Sequence, residues 1–244
     1  MKPAVTLAIT GRVLLQLRRD HRTLALMLLV PCLLLTLLWW MFDRDELVFG
    51  RLGPPLLAMF PFIVMFLVTS VTTLRERSSG TLERLLSMPM GKLDFLVGYA
   101  LAFCAVASVQ ASLAVGLTVG LLGLDIAGPI WALALVAVAD AVLGAALGLF
   151  VSAFAETEFQ AVQFMPALVI PQILLCGLFV PRASLPDGLG QASDLLPLSY
   201  AVDSMQRLQT TGLSGDFWAD IAVVIGFVIA TVALGAATLK RRTA

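Results

Sequence analysis

The chain has 244 residues, 59% of them hydrophobic and only 13% charged, where a soluble domain carries roughly 25% charged residues. Sixteen basic residues balance sixteen acidic ones, so nothing in the overall charge suggests a nucleic-acid partner. The uncharged residues fall in blocks long enough to cross a bilayer, which takes about 20 apolar residues at ~1.5 Å rise each. The composition therefore predicts an all-α, polytopic integral membrane protein.

Taken in chain order, residues 4–22 are predicted to form an amphipathic helix. Val5, Ala8, Ile9, Val13, Leu14 and Leu17 share one broad face, with Arg12, Arg18, Arg19 and Arg22 around its edges. Such a helix lies along the inner membrane surface with its bases near anionic headgroups, or it serves only to anchor the topology. The N-terminus does not read as a cleavable signal. Its apolar run begins only after "RRDHR", is too long for an h-region, and ends in "WWMFDRD" without a small-residue cleavage site.

Six spans follow, near 24–42, 55–74, 95–122, 130–155, 164–180 and 221–239. The third and fourth are long, which predicts tilt or projection beyond the hydrocarbon. The fifth carries Pro166 and Pro171 and is expected to be kinked, with neighbouring helices satisfying the freed carbonyls. Lys and Arg set the orientation. With the N-terminus inside, twelve of the sixteen bases are cytoplasmic, leaving Arg44, Arg51, Arg182 and Arg207 outside. Both termini and the charged insert "RERSSGTLERLLSMPMGKLD" (75–94) are then cytoplasmic. The stretch 181–220 is outside and too long for a simple turn. It is expected to form a small cap in which "PLSYAVDSMQRL" dips into the outer leaflet as a short re-entrant helix. The whole reads as one transmembrane domain over 1–244: a surface helix (1–23), spans one to five (24–180), the cap (181–220), and the last span with its tail (221–244).

Little catalytic chemistry is visible. His21, the only histidine, reads as an interfacial residue. Cys32, Cys104 and Cys176 are isolated in apolar runs and match neither a metal pattern nor a disulfide framework. The phosphate-binding pattern GxxxxGK[ST] is missing, since Gly91–Lys92 is followed by leucine and lacks the upstream glycine. Asp140 is the exception, because an ionised carboxylate in mid-span costs ~2.5 kcal/mol or more. It is either a proton, cation or polar-substrate contact, or a structural group hydrogen-bonded to a neighbouring helix. Gly116-x-x-x-Gly120 and Gly144-x-x-x-Gly148 each permit a second helix to approach closely.

In the insert, Leu82, Leu85 and Leu86 fall on one face of a short helix, with Glu83 and Arg84 on the other. A helix this short is not stable alone in water, so its leucines need a groove or the membrane surface. "RERSSGTLERLLSMPMGKLDFLVGY" resembles the first cytoplasmic loop of type-2 ABC exporter (ABC-2) permeases. "LFVPRASLPD" after span five and "LLPLSYAVDSMQRL" before the last span are similar to the same family. The resemblance covers nearly the whole chain, and within the family it is to the bacterial drug-resistance branch, of the daunorubicin-exporter kind.

That resemblance implies a coupling helix from Gly80 to Pro89, seated in a cleft of a separate ATP-binding subunit. Glu76, Thr81, Glu83 and Arg84 would be its polar contacts, and Leu82, Leu85 and Leu86 its apolar ones. It implies that ATP and Mg sit on the partner ATPase, that this chain binds no cofactor and is not itself an enzyme, and that two permease copies, alike or related, act together. The cargo would be lipophilic (a drug, lipid or glycolipid), moved outward from the inner leaflet or cytoplasm by alternating access across a bacterial plasma membrane. Phe60, Phe62, Met65, Phe164, Met165 and Leu168, with Asp140, are the candidate pathway residues. The second cytoplasmic loop, "AETEFQA", departs in being short and acidic, and Glu156 and Glu158 are its candidate contacts. Two other classes compete: an intramembrane lipid-modifying enzyme or protease, and a membrane scaffold without transport. The first needs paired polar groups that Asp140 lacks, and nucleotide-dependent substrate movement separates transport from both.

Overall fold

Asp20 divides the first forty residues into two helices. Helix α1 (Pro3–Arg19) ends there, and the Asp20 side chain caps α2 (His21–Met41) by accepting from the Thr23 N–H at 3.1 Å and the Thr23 hydroxyl at 2.6 Å. Those bonds hold the Asp20 carboxyl below its ordinary pKa. The remaining helices are α3 (Glu46–Ser78), α4 (Lys92–Gly120), α5 (Ile130–Val151), α6 (Glu158–Leu175), α7 (Asp187–Asp194), α8 (Pro197–Thr210) and α9 (Gly215–Thr238). A single 3-10 turn, Arg182–Ser184, precedes α7. This computed structural model describes residues 3–42, 46–78 and 92–238, and no strand occurs among them.

Helices α2, α3, α4, α5, α6 and α9 are long and apolar enough to cross a membrane, so the expected six-span, all-α architecture is what the chain adopts. Four spans begin earlier than predicted, for local reasons, the first at His21 behind its Asp20 cap. The second reaches back to Val48, through Pro54 and Pro55, which had read as its start. The fifth runs from Glu158 to Leu175 because Thr157 caps it, accepting from the Gln160 N–H at 3.2 Å. The sixth opens at Gly215, where the Ser214 hydroxyl accepts from the Phe217 N–H at 3.2 Å.

Helix α5 is the axis of the bundle. Its buried set runs all round it, from Ala132 and Leu133 through Ala141, Gly144 and Gly148 to Val151, and is built mainly of small residues. A helix apolar on every side is one that neighbours surround, and α3, α4 and α9 all pack on it, α3 most extensively. The seam with α3 depends on two glycines. A β-carbon on Gly144 would run into the Phe62 carbonyl, and one on Gly148 into that of Phe66. Four residues forward on α5 correspond to four forward on α3, so the two helices run in the same direction, as alternate spans must. The other small-residue pair has no such role, since nothing lies within 4 Å of a β-carbon at Gly116 or Gly120.

Prolines inside two spans are answered from a distance. Pro31 has no N–H to offer the Met27 carbonyl one turn back, and the Gln110 amide on α4 donates to it instead at 2.8 Å. Pro54 leaves the Gly50 carbonyl free in the same way, and the Gln209 amide on α8 donates to that one. A carbonyl unpaired in hydrocarbon costs several kcal/mol, so each glutamine ties two elements together while repairing a helix.

Candidate functional site

The segment expected to couple to a partner, including Gly80, Thr81, Leu82, Glu83, Arg84, Leu85 and Leu86, lies outside the described residues. What frames it is well defined. Helix α1 reaches both borders. On the α3 side, Arg12 Nη2 donates to both oxygens of Glu76, at 3.3 and 3.1 Å. On the α4 side, the Thr6 hydroxyl donates to Asp94 at 3.3 Å and the Thr10 hydroxyl to the Gly98 carbonyl at 3.1 Å. Ile9 closes over Gly98, where a β-carbon would come within 2.7 Å of it. Ile9, Val13 and Leu17 are buried against the bundle, while Leu7 and Leu15 remain exposed.

Glu76 was expected to touch the partner, but its side chain is only 5% exposed and turned onto Arg12. It anchors the border of the segment to α1. Glu158, expected to be a loop contact, pairs with Arg75 through Nε at 2.9 Å and Nη2 at 3.0 Å. Both of those partners are more than half exposed, 61% and 51%, so the pair adds position more than stability. Glu156 is exposed, and its backbone N–H donates to the Gln160 side chain at 2.8 Å.

The candidate pathway residues separate into two groups. Phe62 and Met65 are fully buried on α3, Phe62 directly beneath Gly144, so in this conformation they pack helices. Phe60, Phe164 and Met165 are half-buried against the core, and Leu168 is exposed on α6. None of the six lines either of the two cavities described below.

Asp140 sits one turn before Gly144 on α5, completely buried, and among the described residues neither carboxylate oxygen has a hydrogen-bond partner. The expected hydrogen bond to a neighbouring helix is not made among them. Asp140→Asn is expected to yield as much folded protein as the wild type, with a thermal melt in detergent within a few degrees. The amide has nearly the same shape, breaks no existing hydrogen bond and removes the cost of ionisation in mid-span. A well-folded variant that no longer transports would instead give the carboxylate a functional part.

Two features were not foreseen in the sequence. One is an open cavity of about 660 Å³ lined by α1, the start of α2 and the last turns of α3. The other is an ion-pair cluster at the opposite end of the bundle. There Arg182 pairs with Asp203 and Asp194 and lies 5.0 Å over the Tyr200 ring. Arg207 binds Asp220 and Asp216, each at 3.0 Å. Burial lifts the Asp203 carboxyl above its ordinary pKa, against the opposing pull of Arg182. Arg182, Asp194, Asp203 and Arg207 of this cluster line an open cavity of about 620 Å³, and the ion pairs hold α7 and α8 to the ends of the spans. Its signal in the sequence was Arg182 and Arg207 set among the aspartates of 181–220. The predicted short helix is present as α8, with Leu198, Ala201, Val202, Met205 and Leu208 buried against the bundle.

A model of the ABC-2 type transporter family matches residues 4–210. ABC transporter G family member 20 of Dictyostelium discoideum is 24% identical over 78% of this chain and 27% of its own length. "Probable multidrug ABC transporter permease YbhR" of Escherichia coli is 27% identical over 78% of this chain and 52% of its own. "Linearmycin resistance permease protein LnrN" of Bacillus subtilis is 23% identical over 73% of this chain and 48% of its own. The chain thus spans about half the length of these bacterial relatives and about a quarter of the slime-mould one.

Proposed function

As this chain belongs to the ABC-2 type transporter family, we propose that it is the permease half of an ATP-driven exporter whose ATPase is a separate chain, with ATP and Mg held there. The observation that carries this reading is the framing of 79–91. Polar contacts from α1 clamp the chain at Glu76 just before the segment and at Asp94 just after it. A segment whose two borders are fixed to the bundle passes on a push instead of absorbing it. It is here that the cassette is proposed to dock, with Leu82, Leu85 and Leu86 entering its cleft and Glu83 and Arg84 at the rim.

In this reading the α1 end of the bundle is cytoplasmic, as are both termini, and the cap of α7 and α8 faces outward across a bacterial plasma membrane. The cargo is lipophilic (drug, lipid or glycolipid), taken from the inner leaflet or cytoplasm and released by alternating access. The printed names of the bacterial relatives, which speak of multidrug transport and linearmycin resistance, support the drug-resistance branch. A second permease copy completes the path. Helices α2 and α6 bury only 17% of their spans within one chain, the smallest share among the six, and so leave room for it.

The purified chain alone is expected to hydrolyse no ATP, and its addition to the cassette subunit in lipid is expected to change that subunit's turnover. Nucleotide turnover by the chain alone, freed of contaminating ATPases, would sink the division of labour proposed here.

A further inference from the structure

All four tryptophans of the chain stand at one end of the bundle. Trp39 and Trp40 lie in the last turn of α2, Trp131 is the second residue of α5, and Trp218 lies in the first turn of α9. This is the end that carries the cap. Helix α2 starts beside α1 and so finishes there. Gly128, two residues before α5, donates its N–H to the Leu208 carbonyl of α8 at 2.8 Å, and α9 opens on the aspartates that hold Arg207. Trp40, Trp131 and Trp218 are between 48% and 70% exposed, and the last two stack with ring centroids 6.2 Å apart. A tryptophan joins a large apolar ring to one polar N–H, and in membrane helices it settles at the boundary between headgroups and acyl chains.

The rings also set the depth of the cap. Trp218 falls between Asp216 and Asp220, whose carboxylates each accept from Arg207 at 3.0 Å. At ~1.5 Å rise per residue, each aspartate is about 3 Å from Trp218 along α9. Arg207 lines the open cavity of about 620 Å³, so its side of that cavity is level with the rings. The surface of the cap agrees, since Leu189, Leu195 and Leu213 are exposed on it. A leaflet suits the Trp131–Trp218 pair better than a subunit seam does. Charge is depleted at the core of protein interfaces, and here the Arg207 cluster lies within one turn of the rings.

We infer that Trp131 and Trp218 anchor this end of the chain at the headgroup–acyl boundary of a phospholipid leaflet, so that the Arg207 side of the cap cavity opens at headgroup depth instead of into bulk water. Cargo leaving through it reaches the leaflet first, a consequence that rests on the export reading above. The depth of the rings needs no ATPase, cargo or orientation, so the two readings fail separately.

The test is tryptophan fluorescence of the full chain in phosphatidylcholine vesicles, with lipids brominated near the headgroup, at mid-chain or near the bilayer centre, and with iodide as the aqueous quencher. The wild type reports all four rings, and Trp39→Phe with Trp40→Phe isolates the stacked pair. Bromine near the headgroup is expected to quench both proteins at least about twofold more than bromine near the centre. Thr210→Trp, with the four native tryptophans changed to Phe, reports the cavity itself, because Thr210 is exposed and lines it. The same depth profile is expected there. Equal quenching at all three depths, strongest quenching at the centre, or quenching by iodide alone would overturn the anchor. Quenching by neither reagent would show the pair covered by protein and overturn it as well. Iodide-only quenching of Thr210→Trp would overturn the depth assigned to the cavity. If the multiple variants melt early in detergent, the wild-type profile still decides the anchor, since all its rings stand at the one end.

Discussion

Gly144→Val is expected to leave almost no folded permease, while Gly116→Val leaves the fold intact. A β-carbon at Gly144 meets the carbonyl, carbonyl carbon and Cα of Phe62, all backbone atoms of α3. A flexible side chain could move aside. Helix backbone cannot, so α3 and α5 would have to separate along the most extensive interface of the bundle. Overpacking typically costs 1–3 kcal/mol and occasionally more. Contact with rigid backbone at a central seam belongs at or above the upper end, against a total stability of about 5–15 kcal/mol. At Gly116 the same side chain enters open space, and surface changes of that kind usually stay within about 0.5 kcal/mol. The check is detergent-solubilised yield and thermal melt of both variants beside the wild type. Equal behaviour of the two would mean that the seam does not organise the bundle.

Those two glycine pairs also mark how far the sequence could be read. Each has the same spacing in a long apolar helix, and spacing alone says that a helix can approach without saying whether one does. The prolines pose the same difficulty. Pro54 and Pro55 look like the start of a span because each lacks an N–H, yet the helix continues before them. The carbonyl that Pro54 frees is satisfied by Gln209, more than 150 residues away. A repair at that distance has no local signature. Span existence was legible because the absence of charge over twenty residues has one physical meaning, whereas boundaries depended on caps. Thr157 and Ser214 are ordinary N-capping residues and could have been read as such; the acidic "AETEFQA" obscured the first.

The candidate site was legible in a different sense. The charged insert stands out between two spans, but the residues that fix its borders, Thr6, Thr10 and Arg12, belong to a helix that reads as a membrane-surface anchor. The sequence offers Arg12 a lipid headgroup as readily as it offers Glu76. Only the fold brings the two side chains together, and in doing so it turns Glu76 from an outward contact into an inward one. The cap shows the same limit. Its acids are conspicuous, but Arg182 and Arg207 become the centres of two clusters only when α7, α8 and α9 converge on them.

Glu83→Arg and Leu85→Asp are expected to uncouple the permease without unfolding it. Both positions lie in the segment that α1 frames, outside the described residues and apart from the seams of the bundle described above. On the polar face that the sequence predicts for Glu83, reversing a charge removes no buried apolar area, so the melt of the permease alone should stay within about 0.5 kcal/mol of wild type. At an interface the same reversal places like charges together, which costs several kcal/mol. Leu85→Asp acts in the same direction, because a carboxylate entering an apolar cleft must shed its water without gaining a partner. Loss of the cassette from a tagged-permease purification, with an unchanged melt, is the expected pair of results.

Reconstitution of the chain with the proposed cassette ATPase in lipid vesicles tests the central claim most directly, with a fluorescent lipophilic cargo followed across the bilayer. The account predicts ATP-dependent movement toward the face bearing the α7–α8 cap, absent when either chain is omitted and lost in Leu85→Asp. Equal cargo movement with and without nucleotide, or full transport by Leu85→Asp, would contradict it.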